Sequence, residues 1–139
     1  MTTTIPAQTA ADDLRIIQSP PTITDAQLIL QLQMAASLSG GDQGWTLLQA
    51  FETPPTMSQA KRRHPSGSPE SAQIQAFLAG CETMATFVKN GLLNEALVND
   101  VFWIQGAWQK SEKLCKAMRK EAGEPRLMEN FEWLAKRAM

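Results

Sequence analysis

The chain has 139 residues, a hydrophobic fraction of 43% and a formal net charge of −1, which suits one globular domain with its own core. This charge is not that of a strongly basic nucleic-acid binder, and no apolar run approaches the roughly 20 residues that cross a bilayer. Residues 1–10 contain no basic group and no apolar stretch typical of a secretory signal. We therefore expect a cytoplasmic protein that does not contact a membrane.

The charges are unevenly distributed along the chain. Residues 1–52 carry five acidic groups against one basic group, residues 53–109 balance four against four, and residues 110–139 carry eight basic groups against five acidic ones. A polarity of this size can steer a partner or pair two subunits head to tail.

Residues 1–23 are predicted to form an extended or disordered N-terminal arm. They are rich in threonine, alanine and proline, and Pro20–Pro21 prevents a helix from continuing through them. Ile16 and Ile17 lie in the only apolar cluster of this segment. The arm is either a disordered tail or a strap on another subunit or partner, which Ile16 and Ile17 would then contact.

Residues 24–139 are predicted to form a single helical domain. Thr24–Gln27 has the pattern of a capping box, and the first helix that follows runs until Gly40–Gly41. Asp42 can cap a second, shorter helix, which Pro54–Pro55 stops. The predicted inward residues are Leu28, Ile29, Leu32, Ala35 and Ala36 in the first helix and Trp45, Leu48 and Phe51 in the second.

Residues 53–69 contain four prolines and no periodicity, so we predict a loop there. Ser68-Pro69-Glu70 then has the order of N-cap, N1 proline and early acid that begins a third helix. Asn90–Gly91 ends that helix. Its predicted inward residues are Ile74, Phe77, Leu78, Cys81, Met84, Ala85 and Val88.

A long helix is predicted over residues 94–121, and we call it the spine helix. Its apolar seam repeats at spacings of four and three, with Gly106 inside it as the site of a kink or a close helix contact. The link from the third helix is so short that the two should be antiparallel neighbours. Pro125 is predicted to open a last helix. The seam residues are Leu97, Val101, Ile104, Trp108, Ser111, Cys115 and Met118.

No segment alternates between apolar and polar residues as a strand does, so the predicted fold is all-α: a compact bundle of about five helices built on a long antiparallel helical hairpin.

The sequence contains no arrangement of residues that is typical of a catalytic site. It has one histidine, His64, two widely separated cysteines and no nucleotide-binding or nucleophile motif. We therefore predict no enzyme activity, no metal, no cofactor and no small-molecule substrate. A hydrolase using His64 is the least favoured hypothesis. Cys81 and Cys115 are predicted to be buried thiols.

The tryptophans carry the main functional signal. Trp108 belongs to the seam, whereas Trp103 and Trp133 fall outside the best apolar stripes. Either these two pack against other helices of the monomer, or they mark a self-association or partner surface, where tryptophan is enriched.

The second half of the chain resembles a bacterial domain family of unknown function. The resemblance covers about residues 74–138 and implies an all-α fold, without an activity or catalytic residues. The matching pieces are Glu82, Gly91-Leu92-Leu93-Asn94-Glu95, Trp108, Arg119 and Asn130-Phe131-Glu132-Trp133-Leu134-Ala135.

Our leading hypothesis is a non-enzymatic helical interaction module: an adaptor, assembly factor or complex subunit, of phage or mobile-element origin. It would bind another protein or itself as a homo-oligomer. The alternative is a nucleic-acid-binding regulator that contacts phosphates. The basic residues it would use are Lys61, Arg62 and Arg63 of the loop and Lys113, Lys116 and Lys120 of the spine helix.

Overall fold

A computed structural model describes residues 20–139 of the chain. Residues 1–19, which include Ile16, Ile17 and most of the predicted arm, lie outside the described residues. The described part is entirely helical and has no strand, which confirms the all-α prediction. Its seven helices are α1 (Ile23–Ser39), α2 (Gly41–Gln49), α3 (Met57–Arg63), α4 (Pro69–Lys89), α5 (Glu95–Val101), α6 (Ile104–Ala122) and α7 (Glu129–Arg137).

Helix α1 begins before the predicted capping box. Thr22 is its N-cap: the Thr22 hydroxyl accepts from the Asp25 amide at 3.2 Å, and the Asp25 carboxylate accepts from the Thr22 amide at 2.8 Å. The prediction of a box at Thr24–Gln27 is wrong, because a carboxylate near a helix N-terminus is a stronger partner than the neutral side chain of Gln27. Ile23, which we placed in the arm, belongs to the helix.

The predicted loop at 53–69 contains helix α3. Thr56 and Gln59 form a capping box, with the Gln59 side chain accepting from the Thr56 amide at 2.9 Å. The helix buries Ala60 and carries three basic residues in its last turn, where they complement the helix dipole. The loop prediction is wrong for these seven residues, because a helix this short shows too little periodicity to be recognised from its apolar pattern.

The predicted spine helix is two helices. Phe102 has extended backbone angles (φ −122°, ψ 144°) and ends α5, and Trp103 is the N-cap of α6. Val101 to Trp103 combines β-branched and aromatic side chains of low helix propensity, which favours a break at this point. Val101, predicted to face the core, is exposed as a result. This break and helix α3 raise the number of helices from about five to seven.

The core is built around α4. Helix α4 packs most extensively against α2 and next against α7, and α6 also packs on α7. The structure therefore does not confirm a bundle based on a hairpin of α4 with the spine. Gly44 on α2 permits the closest approach, since a Cβ there would lie 2.0 Å from the carbonyl oxygen of Gln73 on α4.

Helix α7 begins later than Pro125 predicts. Residues 125–128 form turns, and Met128 precedes the helix with a positive φ of 59°. Phe131 of α7 meets Trp108 of α6 edge to face with 5.2 Å between ring centroids, and both side chains are fully buried. This aromatic pair joins α6 and α7 at the centre of the domain.

Candidate interaction site

Trp103 is the most exposed aromatic side chain of the described chain, at 69%. It lies at the junction of α5 and α6, and its ring covers Gly106 so closely that a Cβ there would come within 2.3 Å of it. Gly106 thus provides a seat for the indole, whereas the prediction at this glycine was a kink or a close contact with another helix. One face of the ring rests on backbone while the side chain remains largely open to solvent.

Trp133 has a different environment. It is half-buried and packs against the apolar core. Two cations approach its ring: the Arg137 guanidinium at 5.0 Å and the Lys89 ammonium at 5.7 Å from the centroid. Arg137 is itself held by two hydrogen bonds to the Glu95 carboxylate, of 2.9 and 3.0 Å. Of the two tryptophans outside the stripes, Trp103 offers much more free surface than Trp133.

Helix α1 carries a second apolar surface that sequence reasoning missed. Its outer face exposes four large apolar side chains, on the side of the helix that points away from the buried Ile29. The signal was available, because these residues recur at spacings of seven, four and four, and no charged residue occurs in 26–41. We call this surface the α1 stripe, and its members are Ile23, Leu30, Met34 and Leu38.

Glu82, one of the residues that carry the family resemblance, caps α7 from a neighbouring helix. One oxygen of its carboxylate accepts hydrogen bonds from the backbone amides of Asn130 (3.0 Å) and Phe131 (2.9 Å). The N-cap residue Met128 makes no side-chain cap of its own. A carboxylate from α4 therefore satisfies two of the amides that the first turn of α7 leaves without partners.

Arg119 fixes the other side of the same helix start. It donates to the carbonyl of Leu127 at 2.6 Å and forms an ion pair with Glu132 at 2.8 Å, and both charged side chains are only 17% exposed. Hydrogen bonds from Lys136 and then from Arg119 hold the pKa of Glu132 below its usual value, against the opposing effect of burial. Glu132 is thus a largely buried ion-pair partner of Arg119.

Two buried polar atoms of this network have no hydrogen-bond partner: one terminal nitrogen of Arg119 and the side-chain oxygen of Asn130. The Asn130 amide group nevertheless donates to Thr86 at 3.0 Å. These contacts together hold α7 against α4 and α6. The side chains that make them are Glu82, Arg119, Asn130 and Glu132.

Cys81 and Cys115 are buried, free thiols, as predicted. The pKa of both thiols is raised, to about 12 for Cys115, and burial is the main cause. Both remain protonated at neutral pH, so they contribute as small apolar side chains of the core.

The basic residues of the alternative hypothesis lie on a helix and not on a loop. Lys61 pairs with Glu121 of α6 at 3.2 Å, and Arg63 lies over the Phe51 ring at 4.0 Å while donating to the Ala50 carbonyl. Arg62 and Arg63 line an open cleft of about 550 Å³ that Glu52 also borders. Both cations and anions therefore face this cleft.

Helix α6 presents the three lysines that the alternative hypothesis names. Lys116 forms an ion pair with Glu112 at 2.7 Å. Lys113 and Lys120 are exposed. A fourth lysine of this helix, Lys110, is half-buried and donates to the carbonyl of Phe51.

His64 ends α3 with its ring at the edge of Phe51, 6.1 Å between centroids. Its Nε2 is buried without a hydrogen-bond partner. The described residues contain no group of three or more metal-ligating side chains.

No helix within residues 20–139 is long and apolar enough to cross a membrane.

Comparison with curated proteins and with solved structures gives no match. A family model does match, over residues 21–138, and its description is a domain of unknown function (DUF4760). The match includes α1 to α3, which the resemblance over 74–138 did not cover. Because it spans nearly all of the described residues, the chain belongs to the DUF4760 family, as the resemblance to a family of unknown function indicated.

Proposed function

We propose that the chain is a non-enzymatic helical interaction module, an adaptor or complex subunit that binds another protein through a surface centred on Trp103. The observation that carries the proposal is the 69% exposure of this tryptophan. Burying such a side chain in a partner removes a large apolar area from water, which is why tryptophans dominate the energetics of many interfaces.

The seat on Gly106 adds to this argument. Because the indole already rests on the α6 backbone, it has fewer rotamers to lose on binding, and the entropy cost of association falls. Val101, two residues earlier at the end of α5, is also exposed. The free thiols of Cys81 and Cys115 fit a reducing compartment, so we propose a cytoplasmic partner.

The experiment compares three variants of the full chain as baits for partner capture. Trp103→Ala removes the indole, Gly106→Ala keeps it but displaces it from its seat, and Leu92→Ala is the control at a similarly exposed apolar residue (63%). We expect Trp103→Ala to lose the captured protein and Gly106→Ala to weaken the capture at least several-fold. Leu92→Ala should bind as the wild type does. Capture that survives Trp103→Ala contradicts the proposal.

A second candidate is a nucleic-acid-binding regulator, which the position of α3 supports. The helix packs on α6, so Arg62 and the α6 lysines lie on two elements that contact each other. The test is fluorescence anisotropy with single-stranded and duplex oligonucleotides between about 20 and 200 mM salt. Phosphate binding requires an affinity that falls steeply with salt and drops further in Arg62→Glu. No binding at the lowest salt concentration eliminates this candidate.

A further inference from the structure

The α1 stripe has the composition of a protein interface rather than of a solvated surface. Its four side chains are 78% (Ile23), 60% (Leu30), 65% (Met34) and 87% (Leu38) exposed. Residues 26–41 contain no charge, whereas the outer face of α6 carries lysines and glutamates. Interface cores are depleted of charge and enriched in methionine, while an ordinary surface helix presents charged side chains to water.

The only charged residue of α1 is used inside the monomer. One oxygen of the Asp25 carboxylate accepts from the Thr22 amide and the other from the Asn94 amide at 3.0 Å. Two copies of α1 can therefore face each other without a like-charge contact along the stripe. A lipid surface fits less well, because helices that lie on membranes carry lysine or arginine on their polar face and α1 has none.

Ile17, in the apolar cluster of the N-terminal segment, can reach only part of the stripe of the same chain. The six residues from Ile17 to Ile23 span at most about 20 Å when fully extended. Leu38 lies roughly 22 Å along the helix from Ile23, and the chain would also have to reverse direction. Leu38, the most exposed member of the stripe, thus remains out of reach of Ile17.

The area of the stripe matches a small but specific dimer. At roughly 100 Å² for each large aliphatic side chain, two copies bury about 800 Å² from the stripe alone. The glutamines beside it bring the total to about 1,000 Å², the lower bound for a specific interface. A twofold axis perpendicular to the two helices packs them antiparallel, and in that arrangement the helix dipoles oppose each other favourably.

We infer that the α1 stripe is a self-association surface on which α1 of a second copy packs antiparallel. The inference rests on the proposed function in one respect, since it treats the chain as an interaction module. It adds the kind of partner for this face: a second copy of the same chain, independent of the Trp103 surface.

The test is sedimentation equilibrium of the full chain, from about 1 to 200 μM, for the wild type and two variants. We expect the wild-type mass to rise with concentration from 15.3 kDa toward twice that value. Leu30→Glu combined with Met34→Glu should weaken dimerisation at least 100-fold. Leu92→Glu, at a side chain of similar exposure (63%) outside the stripe, should dimerise as the wild type does.

Circular dichroism at low concentration provides the folding control, because exposed positions should leave the monomer's unfolding midpoint unchanged. A wild type that stays monomeric at 200 μM overturns the inference, and so does a stripe variant that still dimerises. A monomer that the stripe substitutions destabilise would mean that part of the same chain covers the stripe. A monomer that binds vesicles through the stripe would identify lipid as its partner, and both results also overturn the inference. Capture through Trp103 is measured separately, so a monomeric chain that retains it leaves the proposed function intact.

Discussion

Replacing Glu82 with alanine removes the carboxylate that caps α7 from α4. In the wild type, one oxygen accepts from the amides of Asn130 and Phe131, at 3.0 and 2.9 Å, in a half-buried position at the start of the helix. After the substitution both amides lack an acceptor, and Met128 offers no side-chain cap to replace it. The favourable interaction between a carboxylate and the positive end of the helix dipole is lost as well.

The expected loss in the free energy of unfolding follows from these contacts. A hydrogen bond to a charged group contributes about 1.5–3 kcal/mol, and two amides that share one oxygen contribute less than twice that amount. We therefore expect Glu82→Ala to cost about 3 kcal/mol. Glu82→Gln retains a neutral oxygen acceptor and loses the charge, so it should cost about 1 kcal/mol.

Urea unfolding followed by circular dichroism at 222 nm measures both values. For a domain of this size, each kcal/mol shifts the thermal midpoint by about 3–4 °C, so Glu82→Ala should unfold about 10 °C below the wild type. Glu112→Ala is the control, since it removes an acidic residue whose partner Lys116 is exposed, and it should leave the midpoint unchanged. A Glu82→Ala loss below about 0.5 kcal/mol, or equal losses for alanine and glutamine, would refute the capping argument.

Two further substitutions test the packing and the ion pairs. Gly44→Ala should cost about 3 kcal/mol in urea unfolding, because its Cβ would lie 2.0 Å from the Gln73 oxygen and force α2 away from α4. The matched control Gly80→Ala points into open space on α4 and should gain up to about 1 kcal/mol; equal effects at the two glycines would contradict the close approach. Glu132→Gln should cost about 1 kcal/mol at pH 7. Because the folded pKa of Glu132 is lowered, its contribution is present above the unfolded value of about 4.3. The difference from wild type should shrink as the pH falls below the unfolded value and through the folded pKa, and a difference that does not shrink would rule out this ion-pair role.

The long helix α4 could be predicted because local signals agreed over more than twenty residues. Ser68 caps it, Pro69 opens it, and the apolar residues keep the 3.6 period to Asn90. The prediction of one continuous spine helix failed at the point where tertiary packing decides the backbone conformation. The seam continues in phase across Phe102 and Trp103, yet the backbone there is not helical, and nothing in the periodicity indicates that Trp103 packs on Gly106.

The family resemblance identified residues that hold α7 in place, but it did not indicate which groups they contact. Glu82 and Asn130 are 48 positions apart, and a single sequence contains no signal that joins a carboxylate on one helix to the amides of another. The α1 stripe was missed for a different reason. We matched one apolar face of the helix to the core, and residues such as Leu30 and Met34 on the opposite face were left without a role.

In the arrangement that we propose, the two apolar faces of α1 separate the requirements of folding from those of binding. The inner face of α1, with Ile29, packs into the domain, so substitutions there should lower the free energy of unfolding. The outer stripe and Trp103 are largely exposed in the monomer, whereas Glu82 and Arg119 serve the packing of α7. Loss of association without loss of stability is therefore the expected signature of the stripe and of Trp103. Loss of stability with association retained by the folded fraction is the expected signature of Glu82 and Arg119.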